Sequence, residues 1–405
     1  MTSAANRPLP LSGNKINRMS RFKIYCTTAI ALLLFVAGMA QTTNPLRVAV
    51  FAPVYLDSAF DAQEYKHGNN SLPRIILPGL EFYNGMMLAV DSLNAEGQQL
   101  EVYFYDTKSI QEPLEKVLKN ESMKQVSLII ASFNTRAEIK PLAAFAQQQR
   151  IPLISMTYPN DGGLSANPYF ALVNPTLGTH IEALYKYMHK TYPTETITLF
   201  KRKGAAEDMI AGMLADMNKK TPGLPLKIKS VELTDSFSTE QVLMQLDSTR
   251  QNIVFCSSLN ENFGVNLVKA IASSKSYKAV IIGMPTWDAI RDLGKDAEII
   301  YTTPYNYSRT DKLGQYINTT YRSKYIGRPS DMVYKGFEAL YHFGRLLLKH
   351  QNKLIDQLSD KDFKLFNEYD FQPVKLRKDS YAADYLENKK VYFVRKLDGQ
   401  IKSVQ

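Results

Sequence analysis

The sequence predicts an α/β protein of two lobes, each a mostly parallel sheet flanked by helices. Three observations carry this. Short apolar runs, too brief for free-standing helices, alternate with amphipathic stretches of helical period. Two of those runs, residues 126–131 and 151–156, bracket a single helix in a complete βαβ unit. The alternation then restarts near residue 179, in a chain of 405 residues with room for two lobes of ordinary size.

The first forty residues are set apart from the fold. Arg7, Lys15, Arg18, Arg21 and Lys23 precede an uninterrupted apolar run at 29–37, and Gly38-Met39-Ala40 follows it. That is the basic, apolar and small-residue order of an export signal, cleaved near Ala40/Gln41. Met19 also fits as a start. The apolar run falls short of the roughly 20 residues that span a bilayer, so no stable membrane span is expected after cleavage. Cys26 lies too early for a lipid anchor. Without the five basic residues of this segment the formal charge falls from +10 to +5, which calls for no nucleic acid. Only Cys256 remains, so no internal disulfide is expected and stability must come from the core.

Each element has a local reason. Residues 46–53 (LRVAVFAP) read as the first strand, and 55–77 as a polar loop longer than an ordinary βα connection. A helix is predicted at 78–96, with Leu80, Met87, Val90 and Leu93 on its inner side and Gly97 as its stop. Strand 100–105 and helix 112–119 follow. Residues 126–131 form a strand buried on both faces, and Thr135-Arg136-Ala137-Glu138 has the spacing of a capping box. The next helix puts Ile139, Leu142, Ala143 and Ala146 on one face. Strands at 151–156 and 169–173 complete the first half. The second half reads helix 179–192, strand 196–200, helix 205–220, strand 226–233, helix 238–248, strand 252–256, helix 262–273 and strands 279–283 and 298–303. Long helices at 312–325 and 331–350 come next. Asp398-Gly399 marks a hairpin over residues 391–404. These elements suggest lobe 1 at 44–174 and about 279–352, and lobe 2 at 175–278 and about 353–405.

Catalytic patterns were sought without success. No Walker loop, G-x-S-x-G elbow, H-E-x-x-H or paired C-x-x-C is present. The five histidines (67, 180, 189, 342, 350) lack metal-ligand spacing and read as surface or helix-face residues. Cys256, inside an apolar strand, reads as a buried thiol. Neither an enzyme nor a cofactor is expected.

The segments PGLEFYNGMMLAVDSLN (78–94), RIPLISMT (150–157) and YFALVNPT (169–176) resemble the first helix, the I-P-x-I-S strand and the crossover of type I periplasmic-binding proteins. The leucine/isoleucine/valine-binding proteins belong to that family. LDSAFD (56–61) with PGLEFYNG further resembles Bacteroidetes members, some fused to LysM modules, although no LysM-like segment is visible. The resemblance implies a two-lobed clamp with three hinge strands. It also implies that loops after the third and fourth strands hold a ligand carboxylate. By position those residues are Ser132, Asn134 and Thr135, then Ser155, Thr157 and Tyr158, each with a purely structural alternative: Thr135 caps its helix and Ser155 ends its strand. On the second lobe Asn260, Trp287 and Tyr305 occupy the corresponding loops, and core packing is the alternative for Trp287. Ala131 stands where the family commonly has glycine, and no acidic residue is committed to an α-amino group.

Two functions follow as expectations. One is a non-enzymatic periplasmic solute-binding protein that closes on a small polar ligand, such as an amino acid or short peptide, for uptake through a transporter permease or for sensing. The other is a cell-envelope interaction protein with a degenerate cleft, partnered by peptidoglycan or a protein. A cleft filled by the 55–77 loop would favour the second.

Overall fold

The computed structural model describes residues 45–404 apart from 62–63, 69–71, 291–292, 294–296, 378–379 and 399. The export segment therefore lies outside the described residues, as does Gly399 of the predicted hairpin turn.

Two sheets organise the fold. The first contains β1 (Leu46–Ala52), β4 (Leu100–Asp106), β5 (Val126–Ala131), β6 (Leu153–Ser155) and β7 (Phe170–Leu172) in the order β4-β1-β5-β6-β7, all parallel. The second contains β8 (Thr196–Arg202), β9 (Lys227–Leu233), β10 (Asn252–Cys256), β11 (Ala279–Ile282) and β12 (Glu298–Thr303), in the order β9-β8-β10-β11-β12. Taken in chain order, both sheets run 2-1-3-4-5, so the same doubly wound topology occurs twice. The continuous apolar runs arise because these strands are covered on both faces. Every residue of β10 is buried, and β5 is buried except at Ser127.

The chain crosses between the lobes three times. From β7 it passes through residues 173–176 to α5 (Leu177–Thr191), the first helix of the second lobe. After β12 it returns through 304–311 to α9 (Lys312–Tyr325) and α10 (Asp331–His350), which pack in the core of the first. It then adds β13 (Phe371–Val374) and β14 (Tyr385–Asn388) to the first sheet, β14 pairing with β7. Finally it crosses to β15 (Tyr392–Leu397) and β16 (Gln400–Val404), antiparallel strands on the edge of the second sheet.

This corrects the lobe boundaries expected from sequence. Residues 279–303 belong to the second sheet, because β11 continues the parallel ladder of β10 from Asn252↔Ala279 to Phe255↔Ile282. Residues 371–388 belong to the first. The segment 353–390 thus lies on lobe 1, opposite to expectation, and the strand pair 392–404 lies on lobe 2.

Helix α2 (Leu77–Ala95) is also rotated from its predicted face. Phe82, Met86, Ala89 and Leu93 are buried, whereas Leu80, Met87 and Val90 are only partly so. Its close approach to α10 through Gly85 sets that rotation. Two of the five histidines were misread as well. His180 and His342 are almost wholly buried, on faces that point inward. Cys256 is a buried free thiol, its pKa pushed up to about 12 by burial. No helix among the described residues is long and apolar enough to cross a membrane.

Candidate functional site

In open parallel sheets the strands deliver their C-terminal ends, and the loops after them, to one edge. Here a cleft of about 600 Å³ opens between the two lobes at those edges. Four of its walls begin with a proline immediately after, or shortly after, a strand: Pro159 after β6, Pro175 after β7, Pro285 after β11 and Pro304 after β12. Proline cannot donate to a ladder, so it ends the strand and leaves a rigid apolar ring facing the opening. Leu177, Leu259, Ala289 and Tyr305 extend the apolar lining. None of the described residues of the 55–77 loop lines it.

The polar groups are few and placed on opposite sides. Lys335 projects from α10 of the first lobe, and its ammonium lies 4.4 Å from the centre of the Tyr305 ring. Among the described residues it makes no hydrogen bond or ion pair. Burial pulls its pKa below the usual lysine range, against the opposing pull of Asp331 and Asp288. Asp331 is itself bound to Arg309. Asp288 faces the cleft from the 3₁₀ turn Pro285–Ala289 of the second lobe. Its carboxyl pKa is raised by desolvation, although the side chain as a whole keeps contact with solvent, and Thr303 Oγ1 donates to it at 3.2 Å.

Behind these groups the wall is fixed. The Tyr305 hydroxyl donates to the Met156 carbonyl within the core of the first lobe, and its ring stacks on Tyr307 at 5.5 Å. Burial raises the Tyr305 pKa well above the ordinary phenol range, so it stays a neutral donor. His180 shares a 2.9 Å hydrogen bond between Nδ1 and Thr302 Oγ1, and burial lowers its pKa to about 4 against the charge of Glu387. It is a neutral imidazole at physiological pH.

Of the residues expected from sequence, Tyr305 lines the cleft. The others do not converge there. Asn134 and Thr135 offer backbone N–H groups at the start of a helix, as an anion site requires, but Glu138 Oε2 accepts from both, at 3.2 and 3.3 Å. Thr107 Oγ1 and Lys108 Nζ complete the shell around the other oxygen, at 2.8 and 2.7 Å. The capping box predicted at Thr135–Glu138 exists, and it consumes the donors that a ligand would need. The Asn134 side chain turns to the Tyr55 hydroxyl, 3.0 Å away.

Ser132 and Thr157 bond to each other at 3.2 Å, and Thr157 Oγ1 also donates to the Phe133 carbonyl at 2.9 Å. Ser155 is wholly buried and its hydroxyl has no partner among the described residues. Tyr158 packs on the core around α4 (Ile139–Gln149). Asn260 caps α8 (Glu261–Ala272), accepting from the Phe263 N–H at 2.9 Å. Trp287 sits in the core of the second lobe, fully buried between Gly264 and Gly283. Its role is packing, and the cleft residue on that turn is its neighbour Asp288.

Sequence reasoning missed Lys335 and Asp288. A signal for the lysine was present: Asp331, Lys335, Glu338 and His342 form a polar stripe along an otherwise apolar helix. A stripe of that kind on an inward face marks either a site or a buried polar network, and here it is both. The four X-Pro steps after strands were equally visible.

Fold and site together define a class: a two-lobed α/β protein with a partly apolar interlobe cleft and a few convergent polar groups. The chain belongs to the periplasmic binding protein family, whose sequence pattern matches residues 78–384. Among solved structures it is similar to an ABC transporter substrate-binding protein from Desulfitobacterium hafniense, with 14% identity, 89% of this chain and 100% of that chain covered, and a TM-score of 0.58. The same description with bound Leu gives 16% identity over 89% and 100% of the two chains, and a TM-score of 0.55. A branched-chain amino acid ABC transporter periplasmic ligand-binding protein from Burkholderia xenovorans gives 13% identity, 89% and 94% coverage, and 0.57. At these identities the likeness is one of fold. No curated protein sequence matches the chain.

Proposed function

We propose that this protein is an exported, non-enzymatic solute receptor that delivers or reports a small ligand held between its lobes, with an ABC-type permease as its partner. The observation that carries the reading is the cleft of about 600 Å³ with Lys335 reaching in from one lobe and Asp288 from the other. A ligand touching both would bind the closed state better than the open one, and that differential affinity is what drives closure. Its body is apolar enough to lie against prolines, Leu177 and Tyr305, and it presents an acceptor or anion to Lys335. The similar proteins named for branched-chain amino acids, and the one holding Leu, make amino acids the first class to test. With Glu138 filling the loop after β5, Lys335 takes the carboxylate in place of Asn134 and Thr135.

The test is a thermal-shift screen of the purified protein against amino acids, short peptides, monocarboxylates and nucleosides. A ligand at 100 times its Kd adds about 2.7 kcal/mol. The reading expects a hit that Lys335→Met and Asp288→Asn each weaken. A hit unaffected by both substitutions would place the ligand elsewhere. The described residues of the 55–77 loop do not line the cleft, so they lend no support to the envelope-interaction alternative.

A further inference from the structure

We propose that Lys335 is a nucleophilic amine that condenses with a carbonyl-bearing solute in the cleft, an aldehyde or a 2-oxo acid, to form a Schiff base. The inference rests on reading the cleft as a ligand site and goes beyond it by assigning covalent chemistry to one atom there.

Three features of position support it. The amine opens into a cavity of about 600 Å³, so a small ligand can approach it. It has no hydrogen-bond or ion-pair partner among the described residues, so no partner blocks its lone pair once the proton has left. The face of Tyr305 lies beside it, 4.4 Å from ring centre to Nζ, a flat platform next to the amine. Desolvation by burial adds a larger fraction of free amine at neutral pH than an ordinary lysine has.

The groups facing Lys335 suit the proton movements. The neutral Nζ attacks the carbonyl carbon; a C–N bond forms and the carbonyl oxygen takes up a proton. The nitrogen loses a proton to give a carbinolamine; a second proton then reaches the oxygen, the C–O bond breaks and water leaves as the C=N bond closes, and the nitrogen releases its remaining proton. The balance is amine plus carbonyl giving imine plus water, with no oxidant or reductant. Asp288, raised towards protonation and accessible to solvent, is the group placed to give and recover that proton. Asp331 is engaged by Arg309 and His180 by Thr302; of the two remaining cleft carboxyls, Glu261 and Asp288, Asp288 is the one whose charge acts on Lys335.

The structure supplies internal controls. Lys201, Lys324 and Lys349 each hold a carboxylate, at 2.5 Å to Asp208, 2.7 Å to Asp91 and 2.6 Å to Asp360, and these contacts raise their pKa values. Each unit of pKa difference is about a tenfold difference in free amine. The purified protein is incubated with glyoxylate and cyanoborohydride at pH 6.5 and mapped by peptide mass spectrometry. The expected result is reductive alkylation at Lys335 about tenfold or more above the three controls, slowed in Asp288→Asn and with the Lys335 adduct lost in Lys335→Arg. Even labelling of surface lysines with Lys335 unmodified overturns the proposal. If Lys335 is not trapped but Lys335→Met loses solute binding, the amine is an ion-pair anchor and only the covalent proposal falls. If Lys335 is trapped while no solute shifts the melting temperature, the chemistry stands and the solute-receptor reading fails.

Discussion

Helices α2 and α10 meet glycine to backbone, twice. A Cβ built on Gly85 would lie 2.0 Å from the Val333 carbonyl oxygen, and one on Gly336 would lie 2.1 Å from the Phe82 carbonyl oxygen. Real Cβ atoms essentially never approach closer than 3.0 Å, so Gly85→Ala or Gly336→Ala must move one helix off the other by about 1 Å. The obstacle is backbone on both sides, with no side chain to swing aside, which places the cost near the top of the overpacking range, about 3 kcal/mol. Alanine returns about 1 kcal/mol through helix propensity. Each single variant should therefore lose about 2 kcal/mol, read as a shifted urea midpoint at constant slope. One displacement relieves both clashes, so the double variant should lose little more than either single one. Lys335 adjoins Gly336, and ligand affinity should fall together with stability. A loss below about 0.5 kcal/mol in either variant, or strict additivity, would refute the close-packed contact.

Glu338 is wholly buried and accepts N–H groups from Phe366 at 3.2 Å and Asn367 at 2.9 Å, yet burial raises its pKa to about 7. A carboxyl raised in the native state costs nothing while protonated. Its stabilising share is full below the ordinary value of 4.5 and is lost as pH rises through 7, about 3 kcal/mol in all. Glu338→Gln should remove that slope, and equal slopes for the two proteins between pH 5 and 8 would contradict it. Glu387, on β14, accepts from Thr176 N–H and Oγ1 at 2.8 Å each, from Thr179 Oγ1 at 2.6 Å and from Lys389 at 2.7 Å, tying two crossings together. Burial pushes its pKa up, but Lys389 and the threonines outweigh that and hold it low. Glu387→Ala should cost about 3 kcal/mol by orphaning those donors, and a calorimetric loss under about 1 kcal/mol would show that the clamp is idle. Trp287, the single tryptophan, should emit at short wavelength, resist iodide quenching until unfolding and barely respond to ligand; quenching in the native protein would place it in the cleft after all.

The elements were legible because parallel strands covered on both faces must be apolar throughout, as at 126–131 and 252–256. Thr135 and Glu138 were legible as a capping box because that spacing is local. What spacing could not reveal is that Thr107 and Lys108, from the end of another strand, close around the same carboxylate. The lobe boundary failed for a related reason. Strands 279–282 and 298–303 look like any others, and only the parallel ladder running from β10 to β11 and from β11 to β12 assigns them to the second sheet. Trp287 was misplaced by a side-chain preference, aromatic rings being equally suited to a cleft or a core.

The repeated 2-1-3-4-5 order gives each lobe its own switch point, between β1 and β5 and between β8 and β10. Both are the crevices where an open sheet ordinarily receives an anion, and here each is filled by a buried glutamate. Glu138 does this in the first lobe. In the second, Glu207 accepts from Ser258 Oγ at 2.7 Å and lies 3.4 Å from Arg202. With a carboxylate already seated in each crevice, an incoming anion meets like charge at both. The cleft lysine, without an ion pair among the described residues, instead comes from α10, a helix that follows both repeats and belongs to neither. On the proposed function, binding is moved from the switch points towards the crossings, where Pro175 and Pro304 line the opening and Glu387 braces the chain. A ligand held there touches the segments that must turn when the lobes move, which couples occupancy to closure more directly than a contact out on the strand-end loops could.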